Sequence, residues 1–311
     1  YLLGSEAWSA IDEMKTGVSD SGLNLTQGRI RTLPVPVPPL AEQRRIVAAI
    51  EEHFSRLDAA EAALHAVTKR RQILVNQLID SAWSKGFQTV RLEDVLAEPL
   101  ANGRSVRTEP GGFPVLRLTA LRNRSIDLSE RKGGEWTMEE AAPYLVQCDD
   151  FLVSRGNGSL ALVGRGGLVS GDPDPVAYPD TLIRVRPQKS RCLPEYLALI
   201  WDSETVRRRI ESLARTTAGI YKVNQKMLEK VEMPLPPLET QTKFVALASQ
   251  QLASVAVVGD STRAALNRSA ALRRSILSAA FSGQLVPQDP SDEPASVLLE
   301  RIAAERAAAK P

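Results

Sequence analysis

Leu33–Glu51 reads LPVPVPPLAEQRRIVAAIE, and Val231–Ser249 reads VEMPLPPLETQTKFVALAS. Pro38 and Pro236 set the offset between the copies at 198 residues. The register then holds without a gap: Gln27 falls on Gln225, Gln43 on Gln241, Val47 on Val245, Leu57 on Val255, Leu74 on Leu272, Leu78 on Ile276 and Trp83 on Phe281. Two copies this far apart do not make a solenoid; they read as a duplicated module of globular domain plus long helix. Prolines favour extended backbone before them and sit well at a helix start. Each copy is therefore expected to open a helix.

From Ala41 to Trp83 no Gly or Pro occurs, and Val47, Ile50, Phe54, Leu57, Leu64, Val67, Leu74 and Leu78 follow steps of three and four, interrupted by Glu61 and Arg71. This is the pattern of a coiled-coil seam on a helix of roughly 60 to 65 Å at 1.5 Å per residue. Such a helix needs a partner. The second copy offers one through Val245, Leu252, Val255, Leu266, Leu272, Ile276 and Phe281, with Gly259 weakening the seam. Antiparallel pairing within the chain is the expected arrangement; separate packing of each helix on its own domain or on another chain is the alternative.

Between the helices, Gly and Pro become frequent and apolar runs shorten. Pro114–Leu121, Asp150–Ser154, Ala161–Ser170 and Thr181–Val185 read as strands, and Pro194–Ile210 as a helix. The expected fold is α+β: a mixed α/β domain plus two long helices in an antiparallel coiled coil, related as a pseudo-twofold repeat. Residues 34–86 form the first helical region, 87–233 the globular domain, 234–284 the second helical region and 285–311 a tail with a short helix. Tyr1-Leu2 echoes Tyr196-Leu197, so residues 1–33 resemble the end of an earlier globular copy, and a first residue other than Met points to further sequence upstream.

The 43% hydrophobic and 24% charged content excludes a disordered chain, and no apolar run approaches a membrane span. The net charge of +2 leaves room only for a local nucleic-acid surface. Cys148 and Cys192 are too few for a zinc cage, and no secretory signal precedes them, so a reducing cytoplasm is expected. His53 and His65 lie too far apart along one helix to share a metal. Gly156-Asn157-Gly158 imitates a dinucleotide-binding turn, but the glycines that follow would disrupt the helix such a turn requires. No Walker loop, nucleophile elbow or His-Glu-x-x-His helix occurs. The sequence therefore offers binding rather than catalysis.

Ten basic residues (Arg184, Arg186, Lys189, Arg191, Arg207, Arg208, Arg209, Arg215, Lys222 and Lys226) face Glu195, Asp202, Glu204 and Glu211 within one stretch. They form a candidate phosphate-binding patch, or an ordinary solvated face. Three loops combine amides and hydroxyls with arginine, the residues suited to base edges: Arg117, Thr119, Arg122 and Asn123; Arg155, Asn157, Ser159 and Arg165; and Thr216, Thr217, Gly219, Tyr221, Lys222 and Asn224. Arg208 joins them as a candidate phosphate contact.

The two Pro-Pro-Leu-x-x-Gln helix starts, Asp150–Ser154 (DFLVS) before a glycine-rich loop, Tyr178–Pro187 (YPDTLIRVRP), and Ala280–Val286 (AFSGQLV) before Glu293–Arg301 together resemble the DNA-specificity subunit of type I restriction-modification systems over nearly the whole chain. The resemblance implies two target-recognition domains reading the halves of a split double-stranded DNA site, with the helices fixing the gap. It implies docking of methyltransferase subunits, which use S-adenosylmethionine, and of a restriction subunit that uses ATP and Mg. No cofactor, metal or catalytic residue is expected on this chain. Only one recognition domain is complete, so a self-dimer is one route to two readers and further chain upstream is the other. Two other readings stay open: the recognition portion of a fused restriction-methylation enzyme, and a coiled-coil adaptor without a DNA role.

Overall fold

A computed structural model describes residues 35–217 and 219–309, with Gly28 and Arg31 before them. The expectation for residues 1–33 therefore lies outside the described residues, apart from those two positions. The chain divides into two compact units, Tyr1–Lys69 with Val257–Pro311, and Arg70–Ala256. Helix α1 (Leu40–Ser84, 45 residues) and helix α6 (Leu238–Phe281, 44 residues) each contribute to both. No described helix is long and apolar enough to cross a membrane.

In the first unit the two long helices pair side by side and antiparallel. Arg273 bonds Asp58 at 2.6 Å and Glu61 at 3.1 Å, Ser269 bonds Glu61, and the hydroxyls of Thr68 and Thr262 are 3.2 Å apart. The partner number falls as the α1 number rises, which defines the direction. The Arg273 guanidinium also covers the Phe54 ring at 5.0 Å. A third helix, α7 (Ala295–Ala308), follows Asp292, whose carboxylate takes two hydrogen bonds from Arg45.

The seam differs from the purely apolar reading of the sequence. Leu57, Glu61, Leu64, Thr68, Arg71, Val75 and Leu78 keep alternating steps of four and three, and all are buried or half-buried. Leu74 and Val67 stand off this line and are about half exposed; Val47 keeps the register but is also about half exposed, as is Leu272 on α6. Glu61 and Arg71 look like interruptions in sequence but are seam residues, as is Thr68, because each has a polar partner across the helix pair; Arg71 bonds Ser254 within the second unit. Ile50, Phe54, Leu64, Val245, Leu252, Val255 and Ile276 are half-buried.

The second unit is built on a six-stranded sheet of order β2-β10-β7-β9-β5-β4. Its strands are β2 (Ala101–Asn102), β4 (Leu121–Arg122), β5 (Ser125–Ile126), β7 (Phe151–Ser154), β9 (Gly166–Leu168) and β10 (Leu182–Val185). All neighbours are antiparallel except β5 and β9. Strand β7 is buried along its length and pairs Phe151 with Val185 and Ser154 with Leu182. The ring of Phe151 meets Trp201 edge-on at 5.6 Å. A second antiparallel pair, β3 (Thr108–Leu116) with β6 (Arg131–Gly134), joins the segment leading into β10 through the Leu116 amide, which donates to the Ala177 carbonyl, and the short helix α2 (Met138–Ala141) follows β6. The expected strand at Pro114–Leu121 thus ends at Leu116, followed by a 3-10 turn at Leu118–Ala120. Of the expected strand at Ala161–Ser170, only Gly166–Leu168 forms.

The expected helix at Pro194–Ile210 is two helices, α3 (Pro194–Trp201) and α4 (Glu204–Leu213). Ser203 breaks it: its hydroxyl accepts the Val206 amide as an N-cap while its own backbone is extended. The globular layer closes on itself where β1 (Thr89–Arg91) pairs with β13 (Glu232–Pro234), Thr89 opposite Pro234. Gln241, in the first turn of α6, is fully buried; its Nε2 donates to the carbonyls of Arg191 (2.9 Å) and Pro236 (2.8 Å), and its Oε1 accepts the Leu193 amide at 2.8 Å. The Tyr196 hydroxyl donates to the Pro234 carbonyl, and its ring packs on Phe244.

The burial pattern along α1 is tested by truncating one buried and one exposed residue. Ile79→Ala, at a fully buried site, should cost about 2–5 kcal/mol in chemical denaturation. Leu74→Ala should change stability by no more than about 0.5 kcal/mol.

Candidate nucleic-acid interface

Two of the loop sets become one surface. Strands β11 (Arg215–Thr217) and β12 (Ile220–Lys222) form a hairpin, with Gly219 at its tip at φ 76, a backbone conformation that glycine adopts without strain. Strand β8 (Gly156–Asn157) pairs along β12, so that Asn157 lies opposite Tyr221 and Gly156 opposite Lys222. The resulting sheet, of order β11-β12-β8, carries Arg215, Thr216, Tyr221 and Lys222 beside Asn157. Arg155, just before β8, accepts the Val223 amide on its carbonyl, which fastens the base of the hairpin. Asn157 Oδ1 accepts the Ser159 amide at 3.0 Å, and Asn224 caps α5 (Gln225–Glu229) by accepting the Met227 amide.

The first loop set is more self-contained. Arg122 donates to Glu130 at 2.6 Å, Thr119 donates to the same carboxylate at 2.9 Å, and Arg117 Nε donates to the Arg131 carbonyl. Asn123 and Arg124 form the tip of the β4–β5 turn, both with positive φ (48° and 67°). Asn123 and Arg124 line a cleft of about 870 Å³ together with Ser154, Asn157, Arg165 and Asp202, so this loop does meet the second set. Arg165 donates to Asp202 at 3.0 Å and to the Ala161 carbonyl.

The glycines of the second loop serve packing. A Cβ on Gly166 would stand 2.0 Å from Cζ of Phe151, and one on Gly167 would meet the backbone of Ser125. These positions are small because β9 must lie against the Phe151 ring and β5, which accounts for a glycine-rich run without a phosphate loop.

The ten-residue basic patch is not a continuous positive surface, and this corrects the count taken along the sequence. Arg184 and Arg186 bond Glu98, Arg186 also forks onto the buried Asp150 (2.7 and 2.9 Å), and Lys189 pairs with Asp149. Arg191 donates to the Asp94 carbonyl, Arg208 pairs with Glu204, and Arg209 pairs with Glu232 while covering the Trp83 ring. Arg207 is buried and donates to the Val163 carbonyl at 2.8 Å; burial, with the nearby charge of Arg165, lowers its pKa. The neutralising carboxylates of Glu98, Asp149, Asp150 and Glu232 lie outside the sequence window. Of the ten, Arg215, Lys222 and Lys226 keep side chains without an ion pair or hydrogen bond among the described residues, as does Arg155 at the base of the hairpin. Arg215 and Lys222 are both exposed and sit opposite each other on the hairpin. The sequence reading left Arg215 and Arg124 out of its loop sets; the alternating residues on either side of Gly219 were the available hairpin signal. His53 and His65 are exposed on α1, and no cluster of metal-ligating residues occurs among the described residues.

Comparisons with known proteins agree on one family. Residues 84–253 match the type I restriction modification DNA specificity domain. The chain is 30% identical over 310 residues to the type I restriction enzyme EcoKI specificity subunit of Escherichia coli (strain K12), spanning 92% of this chain and 66% of that relative. It is 26% identical over 307 residues to the StySPI specificity subunit of Salmonella potsdam, spanning 91% and 66%. This chain thus spans about two thirds of the length of either relative. In fold it is similar to a chain from a structure of type I R-M complex assembly and conformational transition (TM-score 0.69, 22% identity, 91% of this chain and 69% of that one). It is also similar to the HsdS subunit from Thermoanaerobacter tengcongensis (TM-score 0.52, 21% identity, 89% and 68%).

Glu98 supplies the acid dependence of this face. Its hydrogen bond from Arg186, with the charges of Arg186 and Arg184, holds its pKa below the ordinary carboxylate value. The stabilisation is therefore present above the unfolded-state pKa and is lost as pH falls through the lower folded-state pKa. Glu98→Gln should lower stability at neutral pH and flatten the acid limb of a stability–pH profile measured by denaturant unfolding.

Proposed function

The chain belongs to the type I restriction-modification DNA specificity family, and on that premise we propose that it reads the base sequence of double-stranded DNA through the sheet β11-β12-β8 and the loops beside it. The observation that carries this reading is the convergence of Asn157, Tyr221, Lys222, Thr216 and Arg215 on one small sheet whose cations are unpaired. A two-stranded ribbon fits the major groove, where Arg pairs with guanine and Asn with adenine through two hydrogen bonds each. Arg215 and Lys222 supply phosphate contacts; Arg155, Asn157 and Ser159 supply base contacts.

The wider reading follows the family. A second recognition domain reads the other half of a bipartite site, and the paired helices hold the two at a fixed separation. Exposed apolar side chains on the helices, among them Val47, Leu74, Leu247 and Leu272, are suited to docking methyltransferase subunits, with a restriction subunit joining the complex. S-adenosylmethionine, ATP and Mg are used on those chains, this one being a non-catalytic cytoplasmic subunit. The 198-residue repeat supports the two-domain arrangement.

Equilibrium binding of the full chain to duplex DNA across a salt series tests the proposal. Lys222→Ala and Arg215→Ala should each weaken binding on every sequence and reduce the slope of log K against log salt by about one. Arg155→Ala or Asn157→Ala should instead change which duplex is preferred. Arg208→Ala, which removes a side chain already paired with Glu204, should have the smallest effect. Slope and preference unchanged in all these variants would overturn the DNA-reading surface and leave an adaptor.

A further inference from the structure

The break between α3 and α4 does more than turn the chain. Asp202 stands in it with its side chain 10% exposed, and its two carboxylate oxygens face different loops. Oδ2 is 2.7 Å from Nε of Arg124, at the tip of the β4–β5 turn; Oδ1 accepts Nη1 of Arg165, at the end of the glycine-rich loop, at 3.0 Å. The elbow holds that second loop at further points. Trp201 Nε1 donates to the Gly164 carbonyl at 2.8 Å, and Arg207 donates to the Val163 carbonyl. The elbow itself is fixed to the end of α1: the Glu204 amide donates to Asp80 at 2.8 Å, and Trp83 Nε1 donates to the Ser203 hydroxyl at 3.2 Å.

We infer that Asp202 is a positioning residue for base reading, a shared carboxylate that sets the β4–β5 turn and the glycine-rich loop against each other and so governs which bases the surface accepts. The inference rests on the DNA-reading function proposed above. Neither Asn123 nor Arg124 is glycine, yet both hold left-handed backbone, a conformation that surrounding contacts must maintain. The pairing of Arg124 with Asp202 is such a contact. An asparagine at position 202 would keep the shape but present one acceptor oxygen and one donor amide, which cannot bridge two guanidinium groups. The loops would then lose their common reference while the phosphate contacts on the hairpin stayed in place.

The test uses the full chain, a duplex enriched by the wild type from a randomised library, and an unselected duplex. Asp202→Asn is expected to lower discrimination between the two about tenfold or more, the scale of a lost base-pair preference, with the salt slope on the unselected duplex unchanged. Arg124→Gln, which alters no proposed base contact, is expected to follow it and serves if Asp202→Asn fails to fold by circular dichroism. Wild-type discrimination in Asp202→Asn, or in Arg124→Gln where that variant stands in, would overturn the positioning role alone. A wild type that enriches no sequence would overturn base reading itself, and this inference with it.

Discussion

The carboxamide of Gln241 is fully buried, and its nitrogen and oxygen together engage the backbone at Arg191, Leu193 and Pro236. Leaving such a group unpaired inside the protein costs roughly 1–3 kcal/mol for each lost partner, so the start of α6 and the start of α3 are held together. Everything downstream takes its position from that junction: α3 carries Tyr196 onto Phe244, places Trp201 against Phe151, and delivers the elbow beneath the loops. The first copy repeats the local part of the device, Gln43 Nε2 donating to the Pro38 carbonyl at 2.8 Å as Gln241 does to Pro236. The shared proline-to-glutamine spacing is therefore a helix-start motif with a defined bond.

Charge on this chain is organised in pairs across the fold. Arg186 forks onto Asp150 and reaches Glu98, and the hydrogen bonds to Asp150 and Glu98 raise its pKa against the opposing effect of burial, so this cation belongs to the core. Of the basic run Arg184–Lys226, only Arg215, Lys222 and Lys226 keep side chains without an ion pair or hydrogen bond among the described residues. A surface of that kind has less long-range attraction for phosphate than a uniformly basic face, and more of its selectivity must come from close contacts.

The repeat made the long helices legible, because prolines, an unbroken run and steps of three and four all agree over many turns. Strands β7 and β10 were equally plain from their apolar runs. The seam was read wrongly at Glu61 and Arg71, which look like interruptions, since the polar partners that admit them sit 208 and 183 residues away in sequence. The helix break at Ser203 was hidden because an N-cap serine and a helical serine look alike until the backbone turns. At the site, Asn157 and Tyr221 were each identifiable as a loop residue, but their pairing across β8 and β12 depends on long-range register that periodicity does not encode. The neutralisation of Arg184, Arg186 and Lys189 was invisible for the same reason.

Pairing of Thr89 with Pro234 leaves the first and last strands of the globular layer as neighbours. A segment whose two ends lie side by side behaves as an insertion between helices, and its removal or exchange leaves the flanking backbone nearly where it was. The entire cassette can therefore be exchanged for a homologous one in a single recombination event, provided the junction glutamine and its backbone partners survive. Diversification by exchange of whole parts, instead of stepwise change at individual contacts, is built into the connectivity.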